Sequence, residues 1–266
     1  MRQPVPPPES LASADTVLAA EGLGKRYGGF VALADVSVAF TRGRLTAIIG
    51  PNGAGKSTFF ALLSGAATPS SGRIRLEGAD IAGQAQFRFA RMGIARSYQI
   101  TSLFPELTAH ENVRVACQAA HAPARHDLWR SRSHYRALAE EADAALAQVG
   151  LLPRRSRPAS RLSHGEQRAL EIAVALASRP KLLLLDEPTA GMSPEETKEM
   201  MDLIARLATE RTVLLVEHKM KLVMGLAERI VVLHQGRLLA SGSPDDIRVH
   251  PEVRRVYLGE GRSGRG

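Results

Sequence analysis

Residues 50–58, Gly50-Pro51-Asn52-Gly53-Ala54-Gly55-Lys56-Ser57-Thr58, fit the pattern G-x-x-x-x-G-K-[ST]. Glycines at these spacings let the backbone curl without Cβ clashes, so successive N–H groups converge on an anion. A helix starting directly afterwards adds the positive end of its dipole. Lys56 then reaches the β- and γ-phosphates of a nucleoside triphosphate, and the Ser57 hydroxyl is a ligand for Mg²⁺. The second candidate is the pair Asp186-Glu187. Asp186 is expected to hold Mg²⁺ through its water shell, and Glu187 to take a proton from the attacking water or orient it. The bland alternative is that the two carboxylates cap the turn that Pro188 enforces. His218, taken alone, reads as a structural histidine at a strand end.

These residues need elements to carry them. Residues 45–49 read as a short buried strand before the glycine-rich loop, and residues 58–63 as the start of a helix after it. Residues 181–185 are a continuous aliphatic run without alternation, as expected of a parallel strand covered on both faces, and they end in Asp186-Glu187. Residues 212–217 are another such strand, ending in His218. In open α/β sheets ligands bind beyond the carboxyl ends of the strands, so three strand ends are expected to converge on one edge.

Around them, residues 17–27 read as a first strand. Residues 36–40 alternate at period two like a half-buried antiparallel strand, and residues 73–78 repeat that pattern after the turn Ser70-Ser71-Gly72. From Leu107 the signal turns helical. Thr108 with Glu111 forms a capping box that opens a helix towards Ala120. After a polar connection over 121–130, residues 133–149 place Tyr135, Leu138, Ala142, Leu146 and Val149 on one face, with Gly150 at the end. Ser163 with Glu166 is a second capping box, followed by the stripe Leu170, Ala173, Val174 and Ala177, with Pro180 as the stop. Residues 230–233 and 237–240 read as a closing hairpin, Ser243 caps a further helix, and residues 251–258 form another.

Bulk properties exclude several classes. With 266 residues, 44% of them hydrophobic, the chain builds one large domain or two small ones. No apolar run approaches the roughly 18–20 residues needed to cross a bilayer, so a membrane role must come through a partner. The first eight residues lack the apolar segment of a secretory signal, and residues 1–16 are expected to be a disordered or polyproline tail. Cys117 is the one cysteine, which excludes an intramolecular disulfide framework and reads as packing. The net charge of +8 is spread as scattered arginines and not as a basic stripe with aromatics, which argues against specific nucleic-acid binding.

The order of motifs carries a resemblance. The glycine-rich loop, Gln99, Leu162-Ser163-His164-Gly165-Glu166-Gln167, the run ending in Asp186-Glu187, and His218 together resemble the ATP-binding cassette (ABC) ATPase family, over about residues 17–259. The resemblance implies an α/β P-loop NTPase fold: a mainly parallel RecA-like core sheet, an antiparallel β subdomain and an inserted helical subdomain at about 105–178. Residues 17–242 form the ATPase domain and 243–266 a C-terminal helical tail. It implies ATP and Mg²⁺ as ligands, bound by residues 50–58, with Ser57, Gln99 and Asp186 around the metal. Tyr27 stacks on adenine, Gln99 contacts the metal or water and reports to a membrane partner, and His218 touches the γ-phosphate. Ser163, Gly165 and Glu166 of the signature segment complete the site of an opposite protomer, and Ala190-Gly191-Met192-Ser193 is the dimer contact loop. The signature departs from the common Leu-Ser-Gly-Gly-Gln at His164 and Glu166, the latter explained by its capping box.

Finer features, Glu187-Pro188-Thr189-Ala190-Gly191-Met192, residues 216–224 and residues 251–259, are similar to ATPase subunits of branched-chain amino acid and amide importers, the LivG type. Urea importer subunits and lipopolysaccharide-export ATPases share parts of this pattern. A soluble ABC switch acting on ribosomes or nucleic acid is the alternative from another class. The implied partners are a second ATPase subunit (a related chain or a second copy), two membrane permease subunits docking near residues 99–107 with Arg96 and Phe104 as contacts, and indirectly a substrate-binding protein. The implied location is peripheral, on the cytoplasmic face of the cell membrane.

Overall fold

The structure, a computed structural model, describes residues 13–97, 103–121 and 132–258. The chain divides into two compact units, Met1–Gln86 with Ala208–Gly266, and Phe87–Leu207, so the second is interposed between two segments of the first.

The first unit opens with strands β1 (Thr16–Tyr27) and β2 (Phe30–Thr41), then β3 (Leu45–Ile49), helix α1 (Lys56–Leu63), and strands β4 (Ser71–Leu76) and β5 (Ala79–Asp80). The chain then enters the second unit through α2 (Gln86–Arg91) and β6 (Ile94–Ser97). Next come α3 (Ala109–His121), α4 (Arg132–Gln148), two short 3-10 turns, α5 (His164–Leu176), β7 (Leu182–Asp186) and α6 (Pro194–Ala208). Back in the first unit it forms β8 (Thr212–Val216), α7 (Met220–Leu226), β9 (Arg229–His234), β10 (Arg237–Gly242), α8 (Pro244–Val249) and α9 (Pro251–Leu258).

Two sheets build the first unit. An antiparallel one runs in the order β2-β1-β4-β5, and the other runs β10-β9-β3-β8, with β3 parallel to both its neighbours. All five residues of β3 and all five of β8 are buried, which is why neither alternates: a strand covered on both faces has no polar side. In the second unit β6 and β7 pair in parallel, Ile94 with Leu182 through Ser97 with Leu185, and α3, α4 and α5 form its helical part. The expected combination of parallel core strands, antiparallel sheet and helical insertion is present.

The caps expected at Thr108, Ser163 and Ser243 all close, each with the carboxylate three residues on. Glu111 Oε2 accepts from the Thr108 N–H at 2.8 Å, and Thr108 Oγ1 from the Glu111 N–H at 3.1 Å. Buried Asn112 then stitches the preceding turn, donating to the carbonyls of Phe104, Leu107 and Thr108 and accepting from the Phe104 N–H at 2.8 Å.

The structure also differs from the sequence reading. β2 begins at Phe30, six residues before the alternating stretch, because Asp35 takes a left-handed φ of 56° and shifts the pairing register, which breaks the period. Helix α5 ends at Leu176, ahead of Pro180, since Arg179 already has a φ of 48°. Cys117 is buried and its thiol is pushed up to about 11 by that burial, so it packs and does not react.

Candidate functional site

In the first unit the glycine-rich loop joins β3 to α1. A Cβ on Gly50 would run into the Leu233 carbonyl oxygen, and one on Gly55 would sit 2.9 Å from the Ala32 carbonyl oxygen. Gly55, with φ of 98°, caps α1 without a side-chain acceptor. The first N–H groups of the helix, which have no intrahelical partner, are therefore presented at the loop. Lys56, only 6% exposed, donates from Nζ to the carbonyls of Gly50 at 2.7 Å and Pro51 at 3.2 Å, which fixes its charge inside the loop. Ser57 is exposed and Thr58 half-buried. These are the parts of an anion cradle: oriented amides, a held cation and a free-facing hydroxyl.

The strand register brings His218 to the same edge. Ile48 of β3 pairs with Val216 of β8, so Gly50 and His218 follow their strands at the same level. His218 is exposed, and its backbone N–H donates to Glu217 Oε2 at 3.2 Å. On the other side Ile49 pairs with Val232 of β9, and the turn beyond β9 locks on the loop through Gly236 N–H to Ala54 O at 3.0 Å. Tyr27 stands at the tip of the β1–β2 hairpin, 49% exposed, with Lys25 Nζ 5.0 Å from its ring centre. That hairpin reaches the loop through Ala32 and Leu33.

In the second unit Asp186 ends β7. Arg96 of the neighbouring β6 donates from Nη2 to Asp186 Oδ2 at 2.7 Å, with side chains 11% and 2% exposed. The other carboxylate oxygen, Oδ1, is buried and accepts no hydrogen bond among the described residues. An oriented carboxylate with one oxygen left over is the donor chemistry of Mg²⁺ held through one or two carboxylates and waters. Among the described residues no group of three or more His, Cys, Asp or Glu is arranged for a metal, which excludes an all-protein cage there. Glu187, half-buried, holds a left-handed φ of 48° that costs a non-glycine residue of order 1–3 kcal/mol, and such strain concentrates at functional sites.

The serine-capped helix α5 lies in the same unit. Ser163 Oγ accepts from the Glu166 N–H at 3.2 Å, and Glu166 Oε2 accepts from the Ser163 N–H at 2.9 Å. Ser163 is exposed, with its hydroxyl hydrogen available to a ligand. Glu166 spends one carboxylate oxygen on the cap, and its other oxygen faces Arg154 Nε at 3.4 Å. Arg96 is turned inward on Asp186, whereas Phe104 is 54% exposed.

The candidate residues thus divide between the units. Residues 50–58, Tyr27 and His218 belong to the first; Asp186, Glu187, Ser163, Gly165 and Glu166 belong to the second. Gln99 lies outside the described residues. Sequence reasoning missed the pairing of Arg96 with Asp186, for which no local signal exists, and Glu196, which forms with Ser193 a further S-x-x-E box at the start of α6 that the same rule would have found.

The sequence model of the ABC transporter family matches residues 33–190, more than half of the chain. The chain belongs to that family. A second family model, described as a branched-chain amino acid ATP-binding cassette transporter, matches this ABC chain over residues 237–263. It is 44% identical over 250 residues to the high-affinity branched-chain amino acid transport ATP-binding protein LivG of Salmonella typhimurium, spanning 92% of this chain and 98% of LivG. It is 42% identical over 251 residues to BraF of Pseudomonas aeruginosa, a protein of the same description, with the same coverage. Among solved structures, the ADP conformation of MJ1267, an ATP-binding cassette of an ABC transporter, superposes with a TM-score of 0.81 at 27% identity over 92% of this chain and 99% of that one.

Proposed function

We propose that this chain is the ATP-binding and hydrolysing subunit of an importer, coupling MgATP hydrolysis to uptake of branched-chain amino acids or related amides through separate membrane subunits. The observation that carries the reading is the 44% identity to LivG over 98% of that protein, with the tail at 237–263 matched independently. No helix of the described residues is long and apolar enough to cross a membrane, so the chain works at the membrane through partners: two permease subunits, and a second ATPase subunit.

The chemistry follows from the residues. The loop amides and Lys56 bind the β- and γ-phosphates, and Tyr27 stacks on the adenine. Ser57 and Asp186 would hold Mg²⁺, which supplies charge neutralisation on the phosphate oxygens, and Gln99 is assigned beside it. Glu187 takes the proton of the attacking water while His218 contacts the γ-phosphate. Ser163 and the first amides of α5 meet the nucleotide of the opposite subunit, so each chain holds half of two sites.

Glu187→Gln separates binding from chemistry. Loss of a general base lowers kcat by about 10²-fold or more, while ATP binding, read by fluorescence of a labelled nucleotide, persists. Turnover of that variant at the wild-type rate would remove Glu187 from the mechanism. Capture of the membrane partner, followed by substrate-stimulated ATPase in liposomes, identifies the substrate and the direction of transport.

A further inference from the structure

Two contacts in the second unit tie the serine-capped end of α5 to the segment that follows Glu187. From α5, His164 Nε2 lies 3.1 Å from the Ala190 carbonyl oxygen, a distance at which the ring donates through Nε2–H. From α6, Glu196 divides its carboxylate between two helix starts. Its Oε1 accepts from the Gly165 N–H at 3.1 Å and its Oε2 from the Ser193 N–H at 3.1 Å, while Ser193 Oγ accepts from the Glu196 N–H at 3.2 Å.

Neither junction has room to spare. A Cβ on Gly165 would come within 3.1 Å of Glu196 Oε1, and one on Gly191, which has a φ of 75°, within 3.3 Å of His164 Nε2. The two amides also hold the Glu196 carboxyl below the usual carboxylate range, Ser193 first and Gly165 second, so it is an anion at neutral pH. A carboxylate shared between two helix N-termini, beside a histidine bridging the same two segments, is a cross-brace. Its ends are Ser163-His164-Gly165 and Ala190-Gly191-Met192-Ser193.

We propose that His164 and Glu196 are positioning residues for ATP hydrolysis: they fasten the serine-capped helix to the segment beginning at Glu187, so that engagement of the opposite subunit's nucleotide by Ser163 sets the alignment of this subunit's own Glu187. The proposal rests on the roles assigned above to Ser163 and Glu187. It gives His164, the residue that departs from the glycine of the common signature, a task that glycine has no side chain to perform.

The test uses the full chain and steady-state ATPase kinetics with His164→Phe, His164→Gln, Glu196→Ala, Glu196→Gln and the His164→Phe/Glu196→Ala double variant. Misalignment without loss of nucleotide contact predicts that His164→Phe and Glu196→Ala each lower kcat about tenfold, with KM for ATP changed less than about twofold. His164→Gln, which restores an N–H donor, recovers most of kcat. Glu196→Gln, which keeps one of the two acceptors, falls between and decides the matter if the alanine variant does not fold. The double variant loses no more than the worse single one, because both act on one linkage. Wild-type kcat in both single variants, losses that multiply, or a raised KM at constant kcat would each overturn the proposal. An inactive Glu187→Gln beside active brace variants sinks the brace alone, whereas an active Glu187→Gln sinks the functional reading and the brace with it.

Discussion

At the scale of single residues, the pair Arg96–Asp186 carries more than a surface ion pair could. Both side chains are nearly out of water, and the bond is 2.7 Å. Removing one partner of a buried pair leaves the other charge uncompensated, whereas removing both is far milder. Arg96→Met is therefore expected to destabilise the fold by ~3–5 kcal/mol, and Arg96→Met/Asp186→Asn to recover much of it, as read by urea unfolding. ATPase activity is expected to stay lost in the double variant, because Asp186 is also the residue proposed to hold Mg²⁺. The guanidinium thus sets the orientation of a carboxylate that is assigned to the metal.

Secondary-structure elements are held at their starts by carboxylates. Glu111, Glu196 and Asp246 are each drawn below the ordinary carboxylate range, by the Thr108 amide, the Ser193 amide and the Ser243 hydroxyl respectively as the largest cause. A depressed folded-state pKa contributes stability that is complete above the unfolded value and is lost as pH falls through the folded one. The thermal midpoint is expected to hold from neutrality down to about pH 5 and to fall below about pH 4. Replacing Glu111 by Gln and Asp246 by Asn flattens that decline, which circular dichroism melts across the pH range will read. These caps were legible in the sequence because the whole device spans three residues. So was the glycine-rich loop, whose pattern lies within residues 50–58, although the Leu233 and Ala32 carbonyls that Gly50 and Gly55 make room for were not. Arg96–Asp186 was not legible: its partners stand 90 positions apart on β6 and β7, and β6 has only four residues, too short to show a period. The first half of β2 was hidden by the left-handed Asp35, and Glu196 was legible but unread.

At the scale of the whole molecule, the proposed function sets the glycine-rich loop of one chain against the Ser163–Gly165 segment of a second. If two chains must meet for turnover, specific activity rises with protein concentration at low concentration and then levels off; a flat profile from the lowest concentration upward would show that one chain suffices. The interposition of Phe87–Leu207 within the first unit has a further consequence, at birth. Strand β3 lies between β9 and β8, and the ribosome delivers neither until ~160 residues after Ile49, roughly 10–30 s at ordinary elongation rates. Through that interval the apolar strand beneath the glycine-rich loop has no lateral partner, so nascent chains stalled before Thr212 are expected to be protease-sensitive over residues 45–63 and to recruit chaperones there. Chains stalled once His234 has cleared the exit tunnel are expected to be protected. For this topology the order of synthesis, and not the strength of the finished core, sets when the cradle is most exposed to aggregation.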